Sequence, residues 1–206
     1  MAMNNPSAPF FNPNFNADLL WRNQYKIRIG PVLPANKDQI SRSIKDLSNE
    51  SIRYRFLGSK KEFSPEELEY LTNVDGWNHY AIGMEEQQTP NRGIAIARLV
   101  RSTIDPREAE IAITIIDQYH HMGLGTLLMR LIVLAASERN IERLSFSFLP
   151  QNETIIKLIH KIGPTRTDST TMDFVQLYMD MKDVDLNEIR SQLVPVLPII
   201  KNFQLK

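Results

Sequence analysis

The sequence predicts an α+β fold, or an α/β sandwich, with helices laid on a sheet, and three observations carry that expectation. Apolar stretches rich in Ile, Ala and Val succeed one another at His79 to Glu85, Gly93 to Val100 and Glu108 to Ile116, separated by the turn-forming QTPNRG and STIDPRE. A long apolar helical pattern follows from Leu124 to Arg139. Strand and helix signals then alternate to Met181.

In chain order, residues 1–22 read as a flexible arm. Pro6, Pro9 and Pro13 stand among five asparagines, with Phe10, Phe11 and Phe15 interleaved and no helical or strand period. The phenylalanines make the arm adhesive, so part of it is expected to dock on the domain or on a neighbouring subunit. The main domain, 23–183, opens with a strand at Tyr25 to Ile29 that alternates apolar and basic residues until Pro31 and Pro34 stop it. Asn36 or Asp38 can cap a helix to about Leu47. Ser64-Pro65-Glu66-Glu67 brings a capping hydroxyl, a first-turn proline and two carboxylates to a helix running to about Thr72. After the three central strands and the long helix come a strand from Arg143 to Leu149, a helix from Asn152 to Ile162 and a strand from Met172 to Met181. Met172, Met179 and Met181 read as strand packing. A C-terminal extension, 184–206, adds a helix from Asp185 to Leu193 before Pro195 and Pro198. The arm and this helix are the candidate surfaces for a homodimer.

Composition removes several classes of function. The 24 basic and 24 acidic side chains cancel, leaving no net positive field to draw the chain to nucleic acid or a membrane surface. No run has the length of a spanning helix, and MAMNNPSAPFFNPNFN lacks both parts of a secretory leader, so the expected compartment is the cytoplasm. With no cysteine, thiolate nucleophiles, thiolate zinc sites and disulfides are excluded.

Two of the eight glycines, Gly123 and Gly125, lie in DQYHHMGLGT, between an apolar strand and an apolar helix. Glycine lets the backbone turn tightly and approach a ligand, and the first turn of the helix leaves N–H groups unpaired, so the segment suits an anion such as a pyrophosphate. An isolated G-x-G more often does no more than turn the chain. A dinucleotide fingerprint is absent because Leu128 stands where its third glycine belongs, and no Gly-Lys-Ser/Thr of a nucleotide-triphosphate loop occurs.

His120-His121-Met122-Gly123-Leu124-Gly125 resembles the Q/R-x-x-G-x-G/A signature of the GNAT superfamily of acyl-coenzyme A-dependent N-acyltransferases, with Tyr119 before it and Thr126-Leu127-Leu128 after it. His120 replaces the usual Gln or Arg. Asn152 and Gly163 are spaced as in that family's second motif, with Gly163-Pro164 in place of Gly-Phe. SIRYRFLGSKKEFSPEEL and AEIAITIIDQYHHMGLGTLL look like the corresponding regions of bacterial protein-lysine acetyltransferases. The similarity covers about Gln24 to Met181.

The resemblance implies a central mixed, mostly antiparallel sheet flanked by helices, acetyl-CoA as co-substrate, and an acetyltransferase acting by direct attack of an amine in a ternary complex. It places the pantetheine on the backbone of Ile113 and Ile115, the pyrophosphate on His120, His121, Met122, Gly123, Leu124, Gly125 and Thr126, and Asn152 beside the pantetheine. A lysine-like amine is mostly protonated at neutral pH, so a base is needed. Glu110 is the candidate, since the subgroup has a glutamate base at the matching position. Alternation sets Glu110 on one face with Ala112, Thr114 and Ile116, where partial burial is expected to favour that role. Glu108 is the fallback. The competing reading of Glu110 is an exposed carboxylate paired with Arg98 or Arg101. Ile159 stands where many of these enzymes carry an acidic tyrosine, and His160 is the one neighbouring acid. No metal is expected, because His120 and His121 on a turn point apart. The acceptor is a protein lysine or a small-molecule amine. The alternative is an acyl-CoA-binding sensor without turnover. The resembling enzymes often carry a regulatory domain, for which 206 residues are expected to leave no room.

Overall fold

Eight strands form one sheet. A computed structural model describes residues 9–60, 62–89, 92–171 and 174–205, and within them the strands are β1 (Ala17–Trp21), β2 (Tyr25–Pro31), β3 (His79–Glu86), β4 (Arg92–Arg101), β5 (Glu108–Ile115), β6 (Arg143–Phe148), β7 (Arg166–Thr170) and β8 (Val175–Asp180). The helices are α1 (Lys37–Ser43), α2 (Asn49–Phe56), α3 (Pro65–Thr72), α4 (Leu124–Glu138), α5 (Glu153–His160) and α6 (Leu186–Leu193). Spatial order is β1-β2-β3-β4-β5-β6-β8-β7, antiparallel throughout except between β5 and β6. A parallel pair needs a crossover, and α4 supplies it.

The two faces of the sheet follow from alternation. Ala97, Leu99, Ala109 and Ile111 are buried on the face against which α4 packs. Ten of the fifteen residues of α4 are buried, so it forms the centre of the core. Ile96, Arg98, Ala112 and Thr114 point the other way and line a cavity closed by α1 and α2. Ser64 and Glu67 form the expected capping box of α3, Glu67 N donating to Ser64 Oγ at 3.2 Å and Ser64 N to Glu67 Oε2 at 2.8 Å.

Three elements escape the pattern argument. Strand β1 alternates over only five residues and carries an exposed Leu20, so its period is weak beside the prolines that precede it. Strand β7 is the polar edge sequence RTDST, nearly all exposed, and is held by β8 alone. Helix α2 has no buried residue to mark a stripe. Met172, where the last strand was expected to begin, lies outside the described residues; the strand runs from Val175.

Within residues 9–22, expected as an arm of which part docks on the domain, Phe11 and Phe15 reach the core and Ala17–Trp21 form β1. Phe11 and Phe15 are buried, and Phe10, Phe11 and Phe15 cluster with Phe203 at centroid distances of 5.0–5.5 Å. The C-terminal segment joins them through Ile189, Leu193, Leu197, Ile200 and Phe203, all buried. The aromatic area of this segment is thus buried largely within its own chain. Among the described residues no helix is long and apolar enough to cross a membrane.

Candidate active site

The turn between β5 and α4 is shaped by two left-handed residues. After a single 3-10 turn at Asp117–Tyr119, His121 has φ 58° and Gly123 φ 88°, and α4 starts with Gly123 as its N-cap and no side-chain cap. The first intrahelical bond is Leu127 N to Gly123 O at 3.2 Å, so the amides of Leu124, Gly125 and Thr126 have no acceptor in the helix. Gly125 meets a second demand: a Cβ there would lie 3.2 Å from Ile115 Cδ1 and 3.3 Å from Leu158 Cδ2, closer than side chains usually approach. Its absence lets the helix tip nest between β5 and α5.

The carbonyls of the turn are held from outside. Trp21 Nε1 donates to Met122 O at 2.9 Å and Arg22 Nη2 to His121 O at 3.1 Å, both from the β1–β2 hairpin. His120 Nε2 donates to Ile115 O at 2.8 Å, tying the turn to the strand end. On the other side Asp117 accepts from Ser48 N (2.8 Å), Ser48 Oγ (2.6 Å) and Ser51 Oγ (2.9 Å), which anchors the start of α2. Burial opposes ionisation of Asp117, but these donors outweigh it and hold its carboxyl below the usual range.

Beside the turn the sheet parts. The β5–β6 ladder runs only from Glu108↔Arg143 to Glu110↔Ser145, whereas β5 stays paired with β4 as far as Ala95↔Ile115. Ile116 N bonds Ile94 O at 3.0 Å, so in this antiparallel register the even-numbered residues of β5 turn their amide groups toward β4 and the odd-numbered ones turn away. Beyond Glu110 the backbone groups of Ile111, Ile113 and Ile115 therefore face the opening, and the N-terminus of α4 lies at its head.

Glu110 is exposed, not half-buried as expected, and does not line the cavity. Alternation fixes its face, but depth depends on what packs there. Neither expected ion pair forms: Arg98 Nη2 donates to Leu71 O at 2.8 Å and its Nη1 to His79 Nε2, while Arg101 bonds Pro106 O and Arg139 O. Among the described residues Glu110 has no ion-pair or hydrogen-bond partner, and its charge acts favourably on the Arg55 guanidinium. Glu108, by contrast, is paired with Arg143 at 3.4 Å.

Asn152 caps α5, accepting from Ile155 N at 3.2 Å. Ile159 is buried, so the position of the missing tyrosine is core. His160 is exposed against Thr165 at 3.2 Å. Among the described residues no group of three His, Asp or Glu side chains could hold a metal. The fold thus gathers Ile113, Ile115 and residues 120–126 around one opening, and sets Glu110 where that opening begins.

Sequence reasoning passed over His79, Arg55, Trp21 and Arg22. A lone arginine inside the apolar run GIAIARLV was the available signal for the cluster around Arg98. His79 is held down to about 4, first by burial and then by the Arg98 charge. Its neutral ring accepts from Arg98, so its stabilisation is complete above pH ~6.5 and fades as pH falls toward 4, where the unfolded chain takes up a proton the folded one excludes. At half burial this amounts to about 1 kcal/mol. His79→Asn is expected to flatten the fall in urea midpoint between pH 7 and pH 4.5; an unchanged slope would assign that fall to other groups.

The chain has the GNAT fold, as its superposition on solved GNAT domains shows. The solved GNAT domain of S. lividans PAT superposes with a TM-score of 0.71 at 24% identity, over 80% of this chain and 96% of that one. Acetyltransferase Pat of Mycolicibacterium smegmatis is 28% identical over 166 residues, 80% of this chain and 48% of the relative, so this chain spans about half the length of the curated protein it matches. A spermidine N-acetyltransferase from Vibrio cholerae, solved with CoA and spermine, has a TM-score of 0.57 at 15% identity, over 76% of this chain and 96% of that one. No protein-family model matches the sequence.

Proposed function

We propose that this domain transfers an acetyl group from acetyl-CoA to a primary amine, a protein lysine or a small molecule, by direct attack in a ternary complex. The observation that carries the reading is the joint placement of three features among the described residues: amides at the tip of α4 without an acceptor in the helix, an unladdered length of β5 leading from them, and a carboxylate without a partner, Glu110, where the two strands rejoin. The names of the similar proteins support it.

Acetyl-CoA, when bound, supplies an activated acyl carbon. The amides of Leu124, Gly125 and Thr126, with those of the turn before them, would take the diphosphate, since a helix N-terminus favours negative charge. Odd-numbered amide groups of β5 would pair with the pantetheine as a strand would, Ile115 through its N–H because its oxygen already accepts from His120. Glu110 would take a proton from the amine, directly or through one water, as nitrogen bonds to the acyl carbon. The C–S bond then breaks and the thiolate leaves, its charge met by solvent or by the amides near the strand opening.

Two measurements test the proposal together: calorimetry with acetyl-CoA, and thiol release over a panel of amines. Binding with turnover supports it; binding with no turnover on any amine makes the domain a sensor. Gly123→Val is expected to weaken acetyl-CoA binding by roughly tenfold or more, because a β-branched residue is strained in the left-handed region and its Cβ would stand 3.3 Å from Trp21 Cζ2. Unchanged affinity would remove the turn from the binding site.

A further inference from the structure

The cavity between the sheet and α1–α3 has a volume of about 250 Å³ and an apolar wall of Ile40, Phe56, Phe63 and Ile96. Two guanidinium groups stand in that wall, Arg55 from α2 and Arg98 from β4. Arg98 is 5% exposed, and in the register its direct neighbours on either strand are the small Ala81 and Ala112. Its bonds go to His79 and to the Leu71 carbonyl, both neutral. Arg55 rests on the Phe56 ring at 5.2 Å.

Among the described residues neither has a carboxylate within ion-pair distance. The contrast lies at the rim of the same cavity, where Arg28 is paired with Asp18 at 2.9 Å and Glu85 stands opposite Arg28 in the β2–β3 register. Placing two like charges together in an apolar pocket opposes folding, since each loses hydration and each repels the other. Both are indeed held below the ordinary arginine value, first by burial; the Glu110 charge partly offsets this at Arg55, while the Arg55 charge adds to it at Arg98, which is pushed down to about 10. Both remain cations at neutral pH. A guanidinium carries five N–H donors, more than these contacts use, and two such groups on an apolar wall suit a planar, bidentate anion.

We infer that this cavity is the acceptor pocket and that Arg55 and Arg98 receive a carboxylate carried by the amine substrate. The inference rests on the proposed acetyl transfer and narrows its acceptor to primary amines bearing a carboxylate, whether free amino acids or a lysine flanked by acidic residues in a peptide. Glu110, within the field of Arg55, would then meet the amine while the pair holds the other end.

Matched amines test it. L-Lysine is compared with cadaverine, and acetyl-Glu-Lys-amide with acetyl-Gln-Lys-amide, by KM in thiol release and by calorimetric Kd in the presence of CoA. The carboxylate member of at least one pair is expected to bind about tenfold more tightly, and the pair that responds identifies the source. Arg55→Gln, and independently Arg98→Lys, are expected to cut that advantage to about twofold or less with the acetyl-CoA Kd unchanged. Equal binding within both pairs overturns the inference, as does an advantage that survives both substitutions. Absence of thiol release with every amine overturns the proposed reaction alone, because the calorimetric comparison still reports on the carboxylate.

Discussion

Glu110→Gln is expected to lower kcat by about 10²–10³ at neutral pH while leaving the acetyl-CoA Kd unchanged. Glutamine keeps the volume of the side chain but replaces one accepting oxygen with a donating amide nitrogen and cannot accept the proton. An amine with a pKa of about 10.4 is free in fewer than ~1 in 10³ molecules at pH 7, so the loss falls on the step that generates the nucleophile. The gap between the two proteins is expected to narrow as pH approaches 10, where roughly a quarter of the amine is already free in solution. Full turnover of the variant at saturating acceptor and pH 7 would show that Glu110 is not the base. Glu108→Gln provides the contrast. Glu108 is bound to Arg143, so its loss is expected to act through stability more than through kcat.

Arg139→Met is expected to cost about 3–5 kcal/mol of folding stability, the largest effect of any single substitution considered. Arg139 is fully buried, lies over the Tyr80 ring at 4.0 Å, and donates to Gly76 O (3.0 and 2.7 Å), Ala135 O (2.8 Å) and Phe11 O (2.8 Å). One guanidinium therefore joins the end of α4 to the loop before β3 and to the segment carrying Phe11. Methionine fills much of the space but leaves the carbonyls of Gly76 and Phe11 without that donor. Equilibrium urea unfolding checks the value; a loss under ~1 kcal/mol would mean that solvent or neighbouring donors replace the arginine. Lysine is expected to recover only part of the loss, because a point cation cannot span the three acceptors.

Much of the sheet and its main helix was legible because both elements carry strong periods. The apolar runs of β3, β4 and β5 and the continuous apolar stretch of α4 leave little choice of structure. The turn between β5 and α4 was legible for another reason: Gly123 and Gly125 meet local demands, a positive φ and a close approach, that few other residues satisfy. Where those demands vanish, as in the polar edge strand β7 or in α2 with no buried face, the sequence held no comparable sign. The depth of Glu110 was misjudged because a strand period states which side a residue faces and not what covers that side.

By itself the chain determined its strand order of appearance, its central helix and the turn offered to an anion, since each rests on contacts within a few residues. Tertiary structure alone decided the rest of the candidate site. Arg55 comes from α2, Arg98 from β4 and His79 from β3, and the parting of β5 from β6 depends on where the ladder stops. Sequence-local rules cannot express these placements, because a pocket's charge is the sum of groups brought together only when distant apolar faces are buried against one another.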